Sequence, residues 1–440
     1  MLVVKVYAAP KYPLKPLGQL ATFIQYGISE RATEEKIGVP MLRMNNLQAD
    51  GWDLTDLKYI QLGEEDLERY QLHSGDLLFN RTNSKELVGK CEVFRESGAW
   101  VFASYLIRVR LNAEVIPEFV STFLNAPAGR AQIDRVSRHI VGMANVNAEE
   151  LRELQIPLPN PGEQRRLMAV VEKARAARQR KLTEADALLT SLDSWLLEQL
   201  GLAPTAAVPR RVFAIRLKQV RGRRLDAPAY QPFYQAGVRP QTPIRKLGEL
   251  ATVDSNTAVP PENDSELVPY VGLPECDQTE IREVVLRPYS EVKGRSVVRP
   301  GDILFARIEP SVFNQKYVLA ENLKGHDYAY TSTEFYVVRA KSGVEQAYLY
   351  AMMFCSFVFA QVKGKTTGSS GRRRIDSDLF AELQIPLPSE AKQKAISAEV
   401  VWRRETARRL RSEAASEWAT AKAWFESELL GRPATPERNS

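Results

Sequence analysis

The 440-residue sequence is 44% hydrophobic and 26% charged, ordinary for a globular chain and long enough for two or three domains with separate cores. Sixty Lys and Arg against 54 Asp and Glu give a net charge of +6 and a pI near 9.0, a mild excess that suits a polyanionic partner. No apolar run approaches the ~20 residues of a membrane span, so no membrane partner is expected. The opening MLVVKVYAAP lacks the basic start and length of a secretory leader, and Cys91, Cys276 and Cys355 stand far apart without a CxxC spacing; together these predict a cytoplasmic protein with free, buried thiols.

In chain order, Leu17-Gly18-Gln19-Leu20-Ala21-Thr22 opens an α+β region of about 12–155. Gly75-Asp76-Leu77-Leu78-Phe79-Asn80-Arg81 reads as a turn entering a buried strand: glycine takes the special backbone angle and the apolar residues enter the core. Alternation over Trp100–Arg110 predicts another strand. In Leu154-Gln155-Ile156-Pro157-Leu158-Pro159 the prolines stop a strand and set up a helix. Leu167, Val171, Ala174, Leu182, Ala185, Leu189, Leu192 and Leu196 then step by three and four, interrupted by Arg178, up to the helix stop Gly201. Residues 203–242, rich in Pro, Arg and Ala, form a connector, whose Arg223-Arg224-Leu225-Asp226 and Tyr230-Gln231-Pro232 pieces predict an ordered approach to the second domain.

The series then recurs over about 242–385. Leu247-Gly248-Glu249-Leu250-Ala251-Thr252 repeats the start at an offset of 230, Gly301-Asp302-Ile303-Leu304-Phe305-Ala306-Arg307 the turn and strand at 226, and Leu383-Gln384-Ile385-Pro386-Leu387-Pro388 the helix start at 229. Glu334–Arg339 reads as a strand, and Ile396, Val400, Ala407, Leu410, Ala414, Ala421 and Phe425 form a second stripe, interrupted by Arg403 and ended by Gly431. Three blocks in one order at nearly one offset identify a duplicated unit, and the divergent stretches between them point to one fold used for two different targets. Each helix would run roughly 60 Å at ~1.5 Å per residue, and a stripe that long is buried most economically against the other. The expected architecture is α+β: two similar domains, 1–155 and 243–385, separated by an antiparallel pair of long α-helices, a coiled coil of 156–202 and 386–431, with an internal pseudo-twofold repeat, the 203–242 connector and a disordered 432–440 tail.

Signals for chemistry are weak. An adenine methyltransferase needs an Asn/Asp-Pro-Pro-aromatic loop; Asn125-Ala126-Pro127 and Asn160-Pro161-Gly162 lack the second proline and the aromatic. Gly364-Lys365-Thr366 has Phe359 where a phosphate-binding loop requires glycine. His73, His139 and His326 are too scattered for a metal triad.

The paired Leu-Gly-x-Leu-Ala-Thr starts, the paired Gly-Asp-(Leu/Ile)-Leu-Phe blocks, Ser332-Thr333-Glu334-Phe335, Arg224-Leu225-Asp226 and the paired Ile-Pro-Leu-Pro helix starts with Glu163-Gln164 and Gln393 resemble the specificity subunit of type I restriction–modification systems over about 12–430. The second half departs at Lys392, which precedes Gln393, and the first at Tyr105, which stands where the second half has Glu334. The resemblance implies two target-recognition domains that each read one half of a split site in double-stranded DNA. It also implies two bound adenine-methylating modification subunits, recruitment of restriction subunits, and no catalysis, metal or cofactor on this chain, S-adenosylmethionine belonging to the methyltransferase partner. Two divergent domains on a helical spacer are, independently of the resemblance, a two-site binder, whose pseudosymmetry matches that of duplex DNA.

Two segments of each half have the chemistry for DNA contact. Lys363, Lys365, Thr366, Ser369, Ser370, Arg372, Arg373 and Arg374, interleaved with glycines, offer backbone amides, hydroxyls and cations to phosphates. The aligned first-half segment, Arg135–Asn147, is less basic and carries Arg135, Arg138, His139, Asn145 and Asn147. Behind the Gly-Asp blocks, Arg81, Asn83 and Lys85, then Arg307, Asn314, Gln315 and Lys316, supply amides and cations. Arg81 and Arg307, present in both halves, suit positioning; the residues that differ suit base reading. Asn45 and Asn46 are a further option. A self-contained DNA-modifying enzyme, a scaffold whose coiled coil only assembles proteins, and a recognition subunit of another phage-defence or stand-alone methyltransferase complex are the competing readings.

Overall fold

The computed structural model describes residues 11–48, 51–84, 87–140, 143–202, 242–255, 258, 260–277, 279–362, 366–368 and 373–430. The predicted connector, apart from Thr242, the stop at Gly431 and the 432–440 tail lie outside the described residues. The chain forms two compact units, residues 1–182 with 411–440 and residues 183–410. Among the described residues no helix is long and apolar enough to cross a membrane.

In the first unit an antiparallel sheet runs in the order Ala21–Tyr26, Leu106–Leu111, Leu77–Asn80, Cys91–Val93. Phe119, Val120 and Phe123 of helix Pro117–Asn125 join Leu77, Phe79 and Ile107 of this sheet in one core. A second, smaller sheet sets Val39–Leu42 between Val101–Phe102 and Lys58–Ile60. Leu14–Pro16 pairs with Gln155–Pro157, tying the start of the unit to the strand before the long helix.

The second unit repeats this plan. Its main sheet is Ala251–Val253, Phe335–Ala340, Ile303–Ala306, Tyr317–Leu319. Ile244–Lys246 pairs with Gln384–Pro386, and Leu267–Val271 lies between Val285–Pro288 and Ala329–Thr331, with Val297–Val298 added beyond.

The repeat extends to single interactions. Gly75 (φ 96°) and Gly301 (φ 92°) take the left-handed conformation the turn demands. Behind them Asp76 and Asp302, both buried, bind Arg110 and Arg339 at 2.7 Å and accept the backbone N–H of His73 and Arg299. Gln164 accepts from the Ile116 N–H and donates to the Glu114 and Pro159 carbonyls; Gln393 does the same with Glu345, Gly343 and Pro388. The glutamine after each Ile-Pro-Leu-Pro is thus a buried clamp between the helix start and a loop of the domain. A second pair carries no sequence motif: Gln132 bonds both backbone polar groups of Gln155, and Gln361 those of Gln384.

The long helices occur as Pro161–Thr190 with Leu192–Leu200, and Glu390–Leu430. The first is broken where one helix was predicted. At the break Thr190 and Ser191 turn their hydroxyls back onto the Asp186 and Ala187 carbonyls, a competition that bends helices. Gly201 (φ 63°) caps the end. Within the first unit Leu167, Met168 and Val171 share a core with Trp418, Ala421, Phe425 and Leu429, and Arg166–Glu428 and Lys181–Glu413 run antiparallel beside it. Within the second unit Ala185 packs on Ala407 and Leu410, and Leu192 and Leu196 share a core with Ile396 and Val400. The two stripes therefore bury each other within each unit. All three cysteines are free and buried, and burial pushes each thiol up to about 12.

Candidate nucleic-acid interface

The two segments nominated in each half lie side by side. In the first unit the short strand Thr82–Asn83 pairs with Met143–Asn145, which pairs with Arg138–Ile140. In the second, Ile308 bridges Arg374, and Arg374 bridges Thr367. At the centre of each array sits the arginine that ends the buried strand. The Arg81 N–H donates to the Tyr105 carbonyl, and its own carbonyl accepts from Val146; Arg307 is held in the same way by Glu334 and Ile375. The backbone frames superpose in their hydrogen bonding, while the side chains on them differ.

In the first unit the Arg81 guanidinium lies 4.9 Å from the Tyr26 ring centre and donates to Asn145 Oδ1 at 3.2 Å. Tyr26 is itself fixed, its hydroxyl accepting from the Ala148 N–H at 2.8 Å. Asn83 accepts from the Ser84 N–H. Tyr105 is exposed and lines a cleft of about 340 Å³ with Arg31, Arg43, Asn45, Lys58 and Ser104. Arg43 is tied to Asp56 at 2.9 Å. Asn45 thus lies on this surface, but Asn46 does not: it is buried, accepting from the Arg43 N–H and donating to the Asp53 and Asp56 carbonyls.

In the second unit the Arg307 guanidinium lies 4.7 Å from the Tyr336 ring centre, a cation–π contact. Among the described residues its Nε is buried without a hydrogen-bond partner, as is that of Arg81. Arg374 grips both carboxylate oxygens of Glu334. Their bond holds the Glu334 carboxyl below the usual glutamate range and raises the Arg374 guanidinium. Arg373 donates to the Thr366 carbonyl at 3.0 Å and stands 3.9 Å from Glu309.

One expectation is corrected here, and other nominated residues already have partners on their own domain. Thr366 is buried, its hydroxyl spent on Glu309, so it cannot present itself to a phosphate. Arg374 is not an open cation, because Glu334 neutralises it. Lys316 donates to the Leu273 carbonyl at 2.6 Å, which anchors its ammonium on its own domain. Asn314 is exposed and Gln315 takes a left-handed turn (φ 50°) beside it. Lys85, Lys363, Lys365, Ser369, Ser370 and Arg372 lie outside the described residues, as do the side chains of Arg138 and His139. The two tyrosines under the arginines and the Tyr105 cleft were missed: rings distant in sequence show no local pattern.

Comparison with known proteins bears on this geometry. Residues 14–182 match the family model described as "Type I restriction modification DNA specificity domain". The chain is similar to the EcoKI type I restriction enzyme specificity subunit of Escherichia coli K12, at 28% identity over 157 residues, 35% of this chain and 34% of that protein. It is also similar to a putative type I restriction enzyme specificity subunit, MjaX, of Methanocaldococcus jannaschii, at 25% identity over 163 residues, 36% of this chain and 38% of that one. The matched stretch is thus little more than a third of these relatives' length. A chain from a solved structure concerned with assembly and conformational transition of the type I R-M system covers 98% of this chain and 99% of its own with a TM-score of 0.50 at 15% identity, a likeness of fold. Residues 14–182 therefore carry the DNA specificity domain of type I restriction–modification systems, and the chain resembles the specificity subunits of those systems.

Proposed function

We propose that the chain is a sequence-specific DNA-binding specificity subunit that recognises a two-part site in double-stranded DNA and directs adenine-methylating partner subunits to it. The observation that carries this reading is the duplication: one framework, down to the Asp76–Arg110 and Asp302–Arg339 pairs, is built twice, with different side chains around Arg81 and Arg307. A binder that performs one task on two targets keeps its frame and varies its contact surface. The domains of residues 1–155 and 243–385 each read one half-site, and the helical segments 156–202 and 386–431 are the spacer. Two such subunits bind and S-adenosylmethionine resides on them; a restriction subunit is an optional further partner. The chain contributes recognition and no chemistry of its own. Incubating it alone with duplex DNA and labelled S-adenosylmethionine should transfer no methyl groups, while a defined DNA sequence is retained. Methyl transfer by the chain alone, or retention without sequence preference, overturns the proposal.

A further inference from the structure

The two arginine-centred arrays differ in a paired way. Residue 105 with residue 145 in the first unit occupies the backbone positions of residue 334 with residue 374 in the second, since Arg81 and Arg307 make the same main-chain bonds to their flanking strands. Framework pairs elsewhere repeat as like for like: Gln132 and Gln361, Gln164 and Gln393, Asp76–Arg110 and Asp302–Arg339. At this site, by contrast, both members change together, from Tyr105 and Asn145 to Glu334 and Arg374. The site is accessible: Tyr105 is 49% exposed, and the side chains of Arg374 and Glu334 are 36% and 20% exposed.

We infer that these four residues are specificity-determining, and that each pair reads one base pair of its half-site; the inference rests on the DNA-recognition reading above. The chemistry names the base pairs. An arginine beside a glutamate offers donors to guanine O6 and N7 and an acceptor to the cytosine amino group, the two partners of one G·C pair. An asparagine offers a donor and an acceptor to adenine N6 and N7, and an aromatic ring is apolar surface for the thymine methyl. Asn145 Oδ1 accepts from the Arg81 guanidinium, so reading requires it to exchange that bond for the base edge, with Arg81 still held over Tyr26. Arg374 and Glu334 likewise open their mutual bonds outward onto the G·C edge. The second half-site therefore carries a G·C pair where the first carries A·T.

The test is selection of bound duplexes from a randomised library by the full-length chain. The wild type is compared with the double variant Tyr105→Glu, Asn145→Arg and with its reciprocal, Glu334→Tyr, Arg374→Asn. The first variant should convert one A·T pair of the first half-site to G·C with a preference of at least about fivefold, leaving the second half-site untouched, which also reports that the protein is folded. An unchanged first half-site overturns the inference. If the first half-site is lost while the second is kept, the reciprocal variant decides: conversion of the second half-site to A·T sustains the inference, and its loss or retention overturns it. A wild-type chain that selects no sequence overturns instead the DNA-recognition reading.

Discussion

Replacing Gln164 by leucine removes the clamp between the first long helix and its domain while nearly preserving side-chain volume. Gln164 is fully buried and makes three hydrogen bonds, from the Ile116 N–H at 2.9 Å and to the Glu114 and Pro159 carbonyls at 3.1 and 3.0 Å. At a net ~1 kcal/mol per bond the loss is about 3 kcal/mol, rising toward ~5 where stranded backbone groups stay sealed from water. A chain of two units does not unfold as one step, so a single global midpoint is the wrong readout. Amide hydrogen exchange resolves the effect locally: the Ile116 amide should exchange roughly 150-fold faster, the equivalent of about 3 kcal/mol. Gln393→Leu should do the same at Glu345, whose N–H that side chain accepts at 3.0 Å. Protection at Ile116 within about threefold of wild type would refute the clamp.

Glu334→Gln removes the charge that neutralises Arg374; affinity for non-specific duplex should rise, and the salt dependence should steepen by about 0.9 in log–log slope. An unchanged or shallower slope in fluorescence anisotropy contradicts this. Because Arg374 depresses the Glu334 carboxyl, the pair's stabilisation is complete above the ordinary glutamate range and is lost as pH falls through the lowered folded value; the stability difference between wild type and Glu334→Gln should therefore vanish in acid, and a difference constant down to strongly acid pH refutes it. Burial holds Cys91, Cys276 and Cys355 at about 12, so a thiol reagent at mildly alkaline pH should label none in the native protein and all three in denaturant; stoichiometric native labelling speaks against it.

What could be read from the sequence was what local chemistry encodes. Gly75 and Gly301 mark turns because few other residues accept their backbone angle, and the helical stripes through Leu167 and Phe425 follow from a period of 3.6. The duplication was visible because its anchors are contiguous blocks. Interactions that exist only after folding were not visible. Arg374 reads as an open cation until strand pairing brings Glu334 to it across 40 residues. Gln132 and Gln361 look like ordinary helical glutamines until Gln155 and Gln384, each 23 residues on, arrive with unpaired backbone groups. Thr366 sits in a run of polar and basic residues, yet its hydroxyl is claimed by Glu309 and buried. The break at Ser191 depends on hydroxyls competing for helix carbonyls, which the apolar period does not register.

The most direct test of the whole account is the sequence selected by the full-length chain from a randomised duplex library. The account predicts two short defined blocks separated by undefined bases, the first altered only by substitutions around Arg81 and the second only by substitutions around Arg307. A single continuous block, or two blocks that both change whichever arginine's surroundings are altered, would contradict it.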